Sequence, residues 1–205
     1  MLARMSPMVR HAIEPLPGFR SREVALFIAQ MDDQNRRLSA DTRGLAADAL
    51  AWQPAPGMNT IGMLLAHIAI VEAFWTRLVL EDRTMPIDPH DVLGIGIDGD
   101  GMPIKPDGRP SAALAGRDLA FFDDLLARAR AHIKQVAAGL EDRDLEREIT
   151  REHPNPDTRE PRSGGVVTVR WMLYHVLEHE ASHYGQILLL RHMLSASAAG
   201  EPAGA

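Results

Sequence analysis

Four long stretches of helical periodicity constrain the fold of this 205-residue chain more than any other feature of its sequence. In each stretch apolar side chains recur every three or four residues, which is the spacing of one face of an α-helix. Segments that contain proline and glycine separate the stretches and interrupt any helix that would cross them. No segment gives a convincing β-strand pattern. The sequence therefore predicts an all-α fold, a four-helix bundle.

Residues that commonly begin and end helices mark the limits of the four stretches. The predicted starts are Ser21, then Asn59 or Thr60, then Ser111 or Arg117, and finally Thr168. Between the second and third helices, residues 82–110 hold five prolines and five glycines, and such long loops often form lids or site walls. A second polar loop is predicted over 141–166. Residues 1–19 are expected to form an irregular arm, 20–195 the bundle and 196–205 a flexible tail.

Composition excludes several classes of function. The formal net charge of −6 repels phosphate backbones, so we expect no nucleic-acid partner. The absence of cysteine excludes disulfides, a cysteine nucleophile and thiolate ligands, so a metal would be bound by His, Asp or Glu. The longest apolar run, IGMLLAHIAIV, contains His67 and is too short to span a bilayer. We therefore expect a soluble, cytoplasmic protein that does not enter a membrane.

The fourth predicted helix carries histidines at helical spacing in the segment HVLEHEASHYGQ, residues 175–186. His179 and His183 lie about 6 Å apart along the axis on the same face, so both could bind one metal ion. His67 is the only polar residue in the middle of the apolar face of the second helix, and metal sites in bundles form from facing helices. The three residues together match a catalytic zinc-type ligand set. Hydrogen-bonded core histidines are the alternative interpretation.

The letters HEASH also fit the HExxH pattern of zinc proteases, with Glu180 as the general base. The extended metzincin pattern would need Gly and His where this chain has Gln186 and Leu189. A downstream glutamate ligand would have to be Glu201, in the predicted tail. The predicted bundle also lacks the strand edge on which such proteases align substrate. We therefore reject the protease interpretation and expect Glu180 to be solvated or to support the ligands indirectly.

Three further patterns indicate ordinary structure. GIGIDG at 94–99 lacks the flanking strand and helix of a dinucleotide-binding motif. DGDG at 98–101 lacks the remaining ligands of a calcium loop, so both segments are predicted to be glycine-containing turns. The charges of DDLLARARAHIK are predicted to form a solvated helix face.

Two segments resemble the signature segments of the DinB-like superfamily, which consists of metal-binding four-helix bundles. The first, WQPAPGMNTIGMLLAHIAIVEAFW at 52–75, has the pattern Trp52, Pro54, His67, Glu72 and Trp75. The second, VRWMLYHVLEHEASHYGQILLLR at 169–191, has the pattern His179, His183, Gly185 and Gln186. Tyr184 stands where the family often has Arg or His, and the loop at 82–110 is longer than usual. The resemblance implies that His67, His179 and His183 are the metal ligands.

The resemblance also implies a function. Superfamily members include metal-dependent transferases of low-molecular-weight thiols such as bacillithiol and mycothiol, which favours an enzyme that activates a thiol and transfers it to an electrophile. The implied metal is a divalent ion, zinc or nickel before others. A metal-dependent hydrolase that uses water and a non-catalytic, stress-associated metal-binding bundle remain open.

Other residues are assigned supporting roles only. The candidates for pocket or supporting residues are Glu72, Trp75, His175 and Gln186. No catalytic base is assigned. A homodimer is compatible with a bundle of this kind, although the sequence identifies no interface.

Overall fold

The computed structural model describes residues 11–102, 106–154 and 161–200. Its four long helices are α1 (Arg22–Thr42), α3 (Ile61–Trp75), α5 (Leu119–Ala137) and α6 (Val169–Gly200). Helix α2 (Ala47–Ala51) precedes α3, which continues into a π-helical turn at Thr76–Leu80, and α4 (His90–Leu93) lies in the long loop. The long helices pack in a ring, α1 against α5, α5 against α3, α3 against α6 and α6 against α1. The predicted all-α four-helix bundle is confirmed.

Side-chain caps fix where the long helices begin. The hydroxyls of Ser21 and Thr60 accept hydrogen bonds from backbone N–H groups in the first turns of α1 and α3. Thr168 does the same for α6, so the starts predicted at these three residues are confirmed. The third long helix begins after Asp118, next to the predicted Arg117, while Ser111 caps a separate 3₁₀ turn at Ala112–Leu114.

The prediction of a loop over 141–166 without strands is wrong. A 3₁₀ turn at Asp142–Glu146 leads into an antiparallel hairpin of β1 (Glu148–Pro154) and β2 (Pro161–Thr168). Ile149 lies opposite Val167 in this pairing, and both pack against the apolar core. The polar residues and prolines around these two anchors obscure the alternation that marks a strand. Pairing between the side chains of the two strands stabilises the hairpin.

The C-terminal boundary of the bundle differs from the prediction. Helix α6 continues to Gly200, five residues past the predicted boundary at 195, so the flexible tail predicted from 196 is corrected as far as 200. The added turn includes alanines, which have the highest helix propensity. Residues 11–20 contain neither helix nor strand, and residues 1–10 and 201–205 lie outside the described part of the chain.

The apolar core consists of two clusters along the bundle. One joins most of α3 to α2, the first half of α5 and the second half of α6. The other joins the first half of α1 and the last residue of α3 to the end of α5 and the start of α6. The helical stretch Ile61–Leu80 is long and apolar enough to cross a membrane, but 72% of its most apolar window is buried inside the bundle. It is therefore the central core helix of the bundle.

Candidate metal centre

Three histidines from two packed helices converge on one point. His67 projects from α3, and His179 and His183 project from α6, one turn apart. The Nε2 atom of His179 lies 3.2 Å from Nε2 of His67 and 3.1 Å from Nε2 of His183. All three side chains are partly buried, so the point is reachable from outside. The structure therefore brings together the three residues that the sequence singled out.

Hydrogen bonds on the far side of two rings fix which nitrogen carries the proton. Nδ1 of His67 lies 2.7 Å from Oδ2 of Asp100, and a buried carboxylate can only accept there, so His67 donates from Nδ1. The other oxygen of Asp100 accepts from the backbone N–H of Met102 and anchors the carboxylate. Nδ1 of His183 lies 2.9 Å from Oε1 of Gln186 and donates to it in the same way. Both rings therefore present an unprotonated Nε2 to the shared point.

A cation satisfies this arrangement better than a proton does. The Nε2 lone pairs of His67 and His183 both face Nε2 of His179, which can hold one proton and so can donate to only one of them. Two nitrogens that bind one zinc ion at about 2.0–2.1 Å lie about 3.3 Å apart in tetrahedral geometry, close to the two distances found here. The donor set therefore fits a single divalent ion.

Burial keeps these imidazoles in the form that binds metal. Desolvation, followed by the neighbouring charges of His183, His67 and His175, lowers the pKa of His179 to about 3. Burial also lowers the pKa of His183, although its hydrogen bond to Gln186 acts in the opposite direction. Protons therefore compete weakly for these two nitrogens at neutral pH.

A cavity of about 460 Å³ opens beside His179. Its walls come from the second half of α3, the long loop and the first half of α6. The lining residues are Val71, Phe74, Trp75, Ile97, Trp171, His175 and His179. Sites of this size hold small molecules, so a ligand in the cavity would contact the histidine cluster.

The supporting candidates divide between the centre, the cavity and the core. Gln186 contacts a predicted ligand directly. Trp75 and His175 line the cavity, and Nδ1 of His175 lies 3.1 Å from Oε1 of Glu178. The two carboxylate oxygens of Glu72 accept hydrogen bonds from Arg130 at 2.9 Å, so its charge is paired in the core.

Arg130 is buried, which corrects the prediction that the charges of its segment form a solvated face. It donates to Glu72 and to Glu180 at 2.9 Å each. Glu180 is also buried, at 1% exposure, so the expectation of a solvated side chain is wrong for it. The side chain of Glu180 faces the core, where Arg130 is its ion-pair partner.

Sequence reasoning missed two residues that shape the centre. Asp100 lies in the DGDG segment, which was predicted to be a turn. The structure has a turn there, with Gly101 at a φ of 74°. Asp100 in this turn is only 2% exposed, and its carboxylate accepts the hydrogen bond from His67. Trp171 lies one turn before His175 on α6, and its spacing from the histidines was the signal that could have placed it on the cavity wall.

Comparison with known proteins agrees with this architecture. The sequence matches the family model described as the DinB superfamily over residues 30–187. The fold is similar to a solved structure titled "Crystal structure of the conserved protein of locus from Enterococcus faecalis", with a TM-score of 0.58 and 15% sequence identity. That similarity covers 83% of this chain and 96% of the other. A search of curated proteins finds no match.

Proposed function

Because the chain belongs to the DinB superfamily, whose members typically bind metal, we propose that it binds a divalent metal ion at His67, His179 and His183. We further propose that it is an enzyme that activates a low-molecular-weight thiol at this centre and transfers it to an electrophile. Zinc and nickel are the proposed metals, since both accept imidazole ligands. We place the protein in the cytoplasm, where such thiols are reduced.

The observation that carries the proposal is the convergence of three imidazole nitrogens beside a small-molecule cavity. Asp100 and Gln186 hold the rings of His67 and His183, fix their tautomers and direct their lone pairs inward. Apolar side chains would pack as well in the place of these partly buried histidines, so packing alone does not explain the cluster. Its position next to the cavity gives a ligand access to the same point.

The chemistry that the centre would supply suits a thiol. A divalent cation stabilises a thiolate and so lowers the pKa of a thiol that is otherwise a weak nucleophile near pH 7. Three neutral imidazoles would leave the full positive charge available for this purpose. The apolar side chains beside His179 would lower the local polarity and so strengthen the electrostatic interaction between a bound thiolate and the cation.

Metal content of purified variants tests the binding site. We expect one equivalent of zinc or nickel in the wild-type protein and its loss in His67→Ala and His183→Ala. His192→Ala is the matched control, because His192 is an exposed histidine on the same helix, and it should retain the metal. Unchanged metal content in both site variants would refute the proposed ligand set.

Turnover assays test the activity. Consumption of a model electrophile such as 1-chloro-2,4-dinitrobenzene should require both a low-molecular-weight thiol and the metal, and should be absent in His183→Ala. Metal-dependent hydrolysis of ester substrates without thiol would instead support the hydrolase alternative. Metal binding with no turnover of either kind would support a non-catalytic bundle.

A further inference from the structure

The cavity beside the histidine centre has a wall made of aromatic rings. The ring of Trp171 stacks on that of His175, with centroids 4.7 Å apart and an interplanar angle of 8°. Trp75 meets both rings edge-on, at centroid distances of 5.5 Å and 5.1 Å. Phe74 packs edge-on against Trp75 at 6.0 Å. Each ring is held by the others, so the wall is formed before any ligand arrives.

The lining also lacks charge. No Lys, Arg, Asp or Glu side chain lines the cavity within the described part of the chain; its two histidines are the polar lining residues. Two apolar side chains at the cavity, Ile97 and Trp171, keep 38% and 39% of their surface exposed to water. Removing exposed apolar surface from water is favourable when a ligand covers it. An apolar ligand would gain free energy by covering these two side chains.

We propose that this cavity binds an uncharged aromatic group, which belongs to the electrophilic substrate and whose reactive atom lies toward His179. The proposal rests on the proposed function only for the identity of that molecule as a substrate. Binding of the aromatic group itself depends on the walls of the cavity and not on the metal. An anionic substituent would lose its hydration against these walls without gaining a Lys or Arg partner among the described lining residues, so the site should discriminate against it.

Two probes of equal ring size test the proposal by NMR titration of the full-length, metal-free protein at pH 7.5. The neutral 4-nitrobenzyl alcohol should bind saturably, and the anionic 4-nitrobenzoate should bind at least tenfold more weakly. Trp171→Ala should weaken binding of the alcohol at least tenfold by removing the stacking surface. Tyr174→Ala is the matched control, because Tyr174 is a 52% exposed aromatic residue on the same helix outside the cavity, and it should bind as the wild type does.

A second variant fills the cavity instead of emptying it. Ile97→Trp adds bulk at a 38% exposed position in the loop and should abolish binding of the alcohol without altering the core. Equal affinity for the two probes, or equal effects of Trp171→Ala and Tyr174→Ala, would overturn the inference. If the protein binds the alcohol but never takes up metal, the aromatic binding site stands and the proposed function is refuted. If the protein takes up metal but does not bind the alcohol, the aromatic binding site is refuted and the proposed metal site stands.

Discussion

Asp100 links the long loop to the predicted metal centre through a single hydrogen bond. Its carboxylate accepts from Nδ1 of His67 at 2.7 Å and so orients the ring and raises the basicity of Nε2. Asp100→Asn keeps the shape but removes the negative charge. We expect the variant to bind zinc about 10- to 100-fold more weakly, measured by competition with a chromophoric chelator.

Asp98, two residues before Asp100, provides the control for this prediction. Asp98→Asn removes an exposed carboxylate from the same turn and should leave zinc affinity unchanged. Equal affinities of the two variants would show that the charge of Asp100 does not act on the metal. Thermal unfolding of both metal-free proteins would separate a local effect from a loss of folding.

Glu180 makes the stability of the protein depend on pH. Burial raises the pKa of Glu180 from 4.5 to about 7 despite the nearby Arg130, and its Oε1 atom has no hydrogen-bond partner among the described residues. The folded protein therefore keeps a proton that the unfolded chain releases above pH 4.5. The stability that this residue contributes is fully present below pH 4.5 and is lost as the pH rises through 7.

The isosteric Glu180→Gln variant removes this titration. The free energy of unfolding of the wild type, relative to that of the variant, should fall by up to about 3 kcal/mol between pH 4.5 and pH 8. Urea unfolding of the metal-free proteins at several pH values measures the difference. Glu178→Gln, at an exposed neighbour, should show no such trend. A difference that stays constant with pH would mean that folding does not shift the pKa of Glu180.

Individual site residues could be predicted where local spacing decides their position. His179 and His183 are four residues apart on one helix, and His67 interrupts an apolar face, so the sequence identifies all three. Asp100 could not be identified, because it is 33 residues from His67 and reaches it through the conformation of a loop. Arg130 was misjudged because its helix is rich in charges, whereas the acidic partners that allow its burial lie on α1, α3 and α6.

At the scale of elements, the helices could be predicted because the sequence signals that define a helix lie within or next to it. Apolar periodicity and capping hydroxyls both lie within a few residues of the helix that they define, as at Ser21 and Thr168. The hairpin could not be predicted, since its register depends on pairs such as Glu148 with Thr168, which lie on opposite sides of a turn. It ends at the residue that caps α6 and so fixes the start of the helix that carries two of the three histidines.

Thr60 begins the core helix that carries His67. The residue is 2% exposed, and its hydroxyl accepts a hydrogen bond from the backbone N–H of Met63 at 3.1 Å. Thr60→Ala should cost about 1 kcal/mol, which corresponds to a decrease in melting temperature of about 2–4 °C for a chain of this size. Thr60→Ser keeps the hydroxyl, so its melting temperature, measured by calorimetry, should decrease less than that of Thr60→Ala. An equal loss in both variants would assign the effect to the methyl group instead of the cap.

At the scale of the whole molecule, polar groups occupy the level at which the two apolar clusters meet. On α5 Arg130 lies between Ala129 of one cluster and Ile133 of the other, and on α6 the histidines and Glu180 lie between Val176 and Ile187. Removing one partner from such a buried layer is costly. The sequence predicted the bundle from its apolar faces, whereas this layer depends on how the four helices are aligned.

Metal should therefore stabilise the whole bundle, because it joins α3 to α6 at this level. If zinc binds only the folded protein, a free concentration of 100 times the dissociation constant adds about 2.7 kcal/mol, or roughly 5–10 °C in melting temperature. Differential scanning fluorimetry with and without zinc measures the shift, which EDTA should reverse. His67→Ala and His183→Ala should melt at the same temperature with and without zinc, whereas His192→Ala should keep the full increase. An increase that persists in both site variants would place the stabilising ion elsewhere in the chain.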